Sequence, residues 1–275
     1  MNRDSDRPSP PTGRRAAFAV LNVLLAGSFA LFVAIPLLAL LVGVPPVTLL
    51  AALTDPVVTD ALRLSLVTST VATGAVIAFG TPLAYLNVRR PYPGRDFVET
   101  LTDLPIVLPP AVAGLGLLLA FGRYGLIGQY LALFGITIAF TTIAVVIAQT
   151  FVAAPFFLRQ ARTSFAEVDP AYEAAARSLG ASPSYTFLRI TVPLAAEGLV
   201  SGAIMTFARA LGEFGATIMF AGNIQGRTQT MPLAIYTTLQ SDISASIALA
   251  VLLLAISFAV IASVRSLSRR GARTR

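Results

Sequence analysis

The chain has 275 residues, of which 56% are hydrophobic and only 12% charged, where a soluble domain carries about 25% charged residues; its long uncharged runs belong in a lipid bilayer. All 20 basic residues are arginine, the formal net charge is +7, and lysine, histidine, cysteine and tryptophan are absent. Those absences exclude zinc and thiolate centres, His-ligated haem, disulfides, Ser-His-Asp or Cys-His catalysis, and any phosphate-cradling GxxxxGK(S/T) loop.

A helix needs about 20 apolar residues to cross the hydrocarbon. Residues 1–15 are rich in proline, serine and charge and read as a disordered tail. Residues 16–44 follow without one charge. That run is far longer than the apolar core of a secretory leader, about 7–15 residues, so it reads as a retained first span. The second span is 62–88, closed by Arg89 and Arg90, and the third is 104–121, interrupted by Pro105, Pro109 and Pro110. A short glycine-rich connection over 122–135 leads to the fourth span, 136–158. A polar stretch over 159–193 then separates it from the fifth, 194–220; the sixth is 243–264, and a basic tail, 265–275, closes the chain. The expectation is an all-α integral membrane protein with six transmembrane helices.

The arginines orient it. Sixteen of the 20 fall before span one, between spans two and three, between four and five, or after span six; Arg63, Arg123 and Arg227 lie on the other side and Arg209 within span five. The arginine-rich face is cytoplasmic by the positive-inside rule, which places both termini there in a cell (plasma or inner) membrane. The basic excess is therefore topology, and no nucleic-acid partner is expected.

Residues 159–193 are more than a connector needs. Asp169 is placed to cap a helix opening at Pro170, where a missing N–H costs nothing. Residues 171–179 favour helix, Gly180 supplies a left-handed stop, and Ser182-Pro183 repeats the device to open a second short helix through Leu188. A helix–glycine–helix hairpin at the cytoplasmic surface is suited either to meet a partner or simply to stabilise that surface.

Glu173, Ala174, Ala175, Gly180, Ile190 and Pro193 resemble the EAA loop of membrane permease subunits of ATP-binding-cassette importers. The spacing from glycine to isoleucine to proline follows that family. The glycine falls seven residues after Glu173, where the general pattern has six, and the variant EAAARSLG is similar to that of molybdate and sulfate permeases. Residues 104–125 and 208–236 also look like the third span, and the fifth span with its following loop, of molybdate permeases; the likeness runs over about 61–263. The resemblance implies the type I importer permease fold, with an extra N-terminal helix and external loop over 16–60, a permease core over 61–264, and a coupling loop over 159–193. Residues 173–180 would then contact the ATPase. It further implies a homodimer in membrane lipid, an ATP-binding-cassette ATPase subunit, an external oxyanion-binding protein, and no cofactor on this chain, with ATP and Mg on the partner. Molybdate or tungstate is the expected cargo, sulfate the alternative, and an ion-coupled secondary transporter the rival of another class; a membrane-embedded enzyme is disfavoured because the side chains left for chemistry do not cluster.

Charges within spans need an account. Arg209 and Glu213, four residues apart, share a helical face, either lining a pathway or forming a self-neutralising packing pair. Gly212 and Gly215 flank Glu213-Phe214 and allow close approach of another helix or a second copy. Pro109 and Pro110 remove two backbone donors, freeing carbonyls for a pathway or simply kinking span three. Glu197 is expected to snorkel or cap, and Thr217, Thr228 and Thr230 either to offer external hydrogen-bond donors or to be simply exposed loop residues.

Overall fold

The computed structural model describes the backbone of residues 12–273 and most side chains between 17 and 262. The chain divides into two compact units, 1–46 and 47–275. In the first, helix α1 (Thr12–Val42) carries its apolar residues exposed along the length of a span, as a helix meeting lipid does. It begins at Thr12, so 12–15 continue the helix rather than the expected tail; residues 1–11 lie outside the described residues.

In the second unit every regular element among the described residues is a helix. Helices α2 (Pro46–Thr54) and α3 (Pro56–Arg89) lead into α4 (Arg95–Val107) and α5 (Pro110–Phe121). A short α6 (Gly128–Leu133) precedes the long α7 (Thr142–Glu167). Then come α8 (Pro170–Ser178), α9 (Pro183–Thr186), a π-helical turn (Phe187–Thr191), α10 (Val192–Leu194) and α11 (Ala196–Leu211). The chain closes with α12 (Gly215–Ala221), α13 (Met231–Leu239) and α14 (Ile243–Arg273). Because α14 runs through Arg273, residues 265–273 extend the sixth span's helix; Thr274 and Arg275 lie outside the described residues.

Among the described residues four helices are each long and apolar enough to cross a membrane, and the number reaches six if two bent pairs each count as one span. Interruptions within the apolar runs correct two expectations. The third span is not one helix over 104–121: α4 and α5 meet at 119°. Leu108 is extended, with φ −68° and ψ 131°, the conformation that a following proline imposes. Pro110 then restarts the helix at its first position, where no amide donor is needed. The fifth span is not continuous over 194–220 either. Residues 183–194 meet α11 at 75°; α11 then stops at Gly212, which caps it, and the helix restarts at Gly215.

The fourth helix is displaced relative to 136–158. Phe140 holds a left-handed φ of 61°, and Thr141 caps α7 by accepting from the Ala144 amide at 3.3 Å, so helix cannot begin earlier. At its other end α7 continues through 159–167, since leaving the hydrocarbon requires charge but not a break in the helix. Arg159 and Arg162 there pair with Asp103 of α4 at 3.1 and 2.9 Å. The core runs along α7. One end packs Val145, Ala148 and Val152 against α5 and α12; the other packs Phe157, Ala161 and Phe165 against α3 and α11. A Cβ on Gly80 or Gly202 would sit 3.0–3.1 Å from α7 side chains, so glycine sets how closely these helices lie.

Candidate functional site

Two places gather the residues singled out in the sequence. The first is the hairpin after α7. Asp169 accepts from the Ala171 amide at 2.8 Å and Pro170 opens α8. Gly180 takes φ +87°, and Ser182 caps α9 through the Tyr185 amide. The second helix does not end at Leu188. It widens into the π-helical turn, where the Val192 amide reaches back to the Phe187 carbonyl immediately before Pro193 removes a donor.

Within the hairpin, Glu173 and the two alanines after it face opposite ways. Ala174 and Ala175 lie toward the open side of α8, whereas Glu173 is buried, its side chain only 3% accessible. One carboxylate oxygen accepts from Arg89 Nε at 2.9 Å and from the Thr191 hydroxyl at 3.1 Å. The other accepts from Tyr85 OH at 3.1 Å and lies 3.6 Å from Arg177 Nη2. Arg89 also donates to the Val168 carbonyl at 2.6 Å. One side chain thus ties α8 to the end of α3 and to the π-helical turn, above an aromatic cluster of Tyr85, Phe165 and Phe187 with ring centroids 4.7–6.2 Å apart. The surface left open includes Tyr172, Ala174, Ala175 and Leu179, the last 89% exposed. Beside it lies an outward cavity of about 570 Å³ bordered by Gly180, Tyr185 and Ile190. Pro193 is half-buried in α10.

The second place is where α5 touches α12. A Cβ on Gly215 would lie 2.7 Å from Pro110 Cβ, and one on Gly114 would lie 2.6 Å from the Ala216 carbonyl. Glycine at both positions therefore lets α5 and α12 meet backbone to backbone. Gly212, by contrast, touches only the turn before it and serves as a cap. Glu213 lies beyond the end of α11, yet its carboxylate meets Arg209 at 2.5 Å. Its other oxygen accepts from the Ala216 amide at 2.7 Å, capping α12. The pair is lopsided, with Glu213 1% and Arg209 27% accessible. Phe214 packs on Tyr236 of α13, rings 5.2 Å apart. Pro109 and Pro110 are exposed at the break, and the Pro109 carbonyl accepts from the amides of Val112 and Ala113.

Glu197 sits in the first turn of α11, among the residues that border an outward cavity beside Asp169 and Tyr172. Thr217, Thr228 and Thr230 are fully buried, not exposed. Helix α13 folds the supposed external loop back onto α3, where the Met231 amide donates to Ser65 Oγ at 2.7 Å. Sequence reasoning missed Gly114, Tyr85 and Arg89 as partners of these two places. Gly114 has a signal in its small-residue spacing with Gly116; the other two have none short of a tertiary fold.

Residues 76–273 match the family model described as "Binding-protein-dependent transport system inner membrane component". The chain belongs to this family. It is a multi-pass membrane permease, and the match takes in both places just described. It is similar to the molybdenum transport system permease protein ModB of Mycobacterium tuberculosis, 42% identical over 89% of this chain and 92% of the relative. It is also similar to the sulfate transport system permease protein CysT of Escherichia coli, 37% identical over 79% of each chain. In fold it resembles a bacterial ABC transporter of alginate, with TM-score 0.75, 15% identity, and 94% of this chain and 96% of that chain covered.

Proposed function

We propose that the chain is the membrane subunit of an ATP-driven oxyanion importer that carries molybdate or tungstate. Two copies would form the pathway with six spans each and both termini cytoplasmic. The observation that carries this reading is the identity with a molybdenum permease over nearly the whole of both chains. Each copy would seat an ATPase on the exposed face of α8, with Ala174, Ala175 and Leu179 in contact and Glu173 holding the helix to α3 from beneath. Small side chains suit such a contact because they let another surface come close. ATP and its magnesium are assigned to that partner, since a chain without lysine cannot build a GxxxxGK(S/T) loop. An external oxyanion-binding protein would deliver the cargo. The span-five break and the Pro109-Pro110 break are the two places where helices could re-angle as the pathway switches. Sulfate is the second reading, supported by the likeness to CysT.

The test is purification of the tagged chain from its own host, followed by reconstitution into liposomes with its partners. A stoichiometric P-loop ATPase and ATP-dependent uptake of molybdate or tungstate that outcompetes sulfate are the expected results. Gly180 holds φ +87°, which proline cannot take, so Gly180→Pro should abolish uptake while leaving membrane insertion intact. Uptake that survives ATP depletion but collapses with an uncoupler would replace this reading with a secondary transporter.

A further inference from the structure

Helix α7 runs from Thr142 to Glu167, and its two ends face different surroundings. The hairpin follows the Glu167 end. Near Thr142, at the opposite end, lies a cavity of about 620 Å³. Its walls are Leu118 and Leu119 of α5, Ile138 and Phe140 before α7, and Ile224 beyond α12, with Arg123 and Arg227 among the lining residues.

Three features single it out. Arg123 and Arg227 are two of the three arginines that run against the charge bias of the chain. Neither guanidinium has an ion-pair or hydrogen-bond partner among the described residues, and no carboxylate lines the cavity. The walls are also built rather than slack. Thr142 donates to the Arg227 carbonyl at 2.8 Å, Thr228 accepts from the Ile224 amide at 2.9 Å, and Phe140 keeps its left-handed backbone while its amide bonds to the Phe220 carbonyl at 3.3 Å. A Cβ on Gly222 would come 3.0 Å from the Phe140 ring, so that ring has its place only because residue 222 is glycine. Finally, the adjoining segment exposes Tyr124, Tyr130, Leu133 and Phe134 at 62–90%, the aromatic and aliphatic composition of a membrane–water interface.

We infer that this cavity binds an acidic phospholipid, its phosphate on Arg123 and Arg227 and an acyl chain against Leu118, Leu119, Ile138 and Phe140. A small free oxyanion is hydrated and polar on all sides, and its binding gains nothing from aliphatic walls. An amphiphile with an anionic head matches both halves of the cavity, its phosphate to the two guanidinium groups and its acyl chain to the aliphatic wall. The assignment goes beyond the transport reading and does not depend on which ion is carried.

The test is native mass spectrometry of the intact complex, purified in mild detergent and exchanged with equal phosphatidylglycerol and phosphatidylcholine. The wild type should retain one phosphatidylglycerol per chain in preference to phosphatidylcholine. Arg123→Gln with Arg227→Gln should weaken retention about thirtyfold, the product of two guanidinium contributions to an anionic head group. Leu119→Trp, which keeps both arginines but fills the apolar end, should also lose the lipid, so the result does not rest on one variant. Equal retention of the two lipids, or retention unaffected by either variant, overturns the assignment. Displacement of phosphatidylglycerol by excess tungstate would transfer the arginines to the free ion and overturn it as well. Because the chain has no cysteine, Tyr124→Cys reports cleanly on one further occupant: a disulfide between two copies would make this wall a chain–chain contact instead.

Discussion

Glu173 and Glu213 are both buried carboxylates paired with arginine, but they hold different things together. Glu213 works locally: its arginine is four residues back and the amide that it caps is three residues on. It secures a break within one span. Glu173 joins residues 84 and 88 positions away to a hydroxyl on the π-helical turn, so three elements depend on it. The difference in reach predicts a difference in consequence. Losing Glu213 leaves Arg209 partly open to solvent, whereas losing Glu173 strands Arg89, only 13% accessible, against a carbonyl.

The largest effect should come from Glu173→Ala. Removing one partner of a buried ion pair costs about 3–5 kcal/mol, and α8 loses its tie to α3. A marked drop in melting temperature and loss of the co-purifying ATPase are expected; a variant that melts with the wild type would place Glu173 outside the protein's supporting structure. Next come Gly114→Leu and Gly215→Val, which put atoms where a Cβ alone already overlaps α12 or Pro110. Overpacking of this kind costs about 1–3 kcal/mol and should wedge α5 from α12, lowering stability and uptake together. If both variants are tolerated, the close approach of the two broken spans is not required.

Glu213 itself should be graded. Glu213→Gln keeps an acceptor for the Ala216 amide and should cost about 1 kcal/mol, while Glu213→Ala loses cap and charge and should cost about twice that. Equal melting temperatures for the two variants would show that the cap contributes nothing and that only the charge matters. The smallest effect is expected for Arg177→Ala. Its guanidinium is 56% exposed and 3.6 Å from Glu173, and such surface pairs contribute about 0.5 kcal/mol or less. A loss comparable to that of Glu173→Ala would move the weight of the cluster from Arg89 to Arg177.

The hairpin was legible in outline because its instructions are local. A capping carboxylate, a proline at the first helical position and a glycine after the last turn act within a few residues of themselves, and Asp169, Pro170 and Gly180 do so here. The spans were legible as apolar runs and less so in extent. Leu108 lies inside an apolar run and Gly212 beside the Arg209–Glu213 pair, and each ends a helix. The Pro109-Pro110 pair announced an interruption without announcing a bend of 119°. The restart at Gly215 combines a local cap, the Glu213 side chain reaching the Ala216 amide, with the approach of Gly215 to Pro110 of α5, which the segment alone does not show.

What the sequence by itself determined is the class of environment and the punctuation of the hairpin. Hydropathy and capping are properties of residues and their near neighbours. Which face of each helix meets protein was decided only by the tertiary structure: the inward turn of Glu173, the meeting of Pro110 with Gly215, and the complete burial of Thr217 and Thr230. The physical reason lies in the solvent. Lipid tails are as apolar as leucine, so no hydrophobic difference marks the packed side of a membrane helix, and close packing with hydrogen bonding between distant segments makes the choice instead.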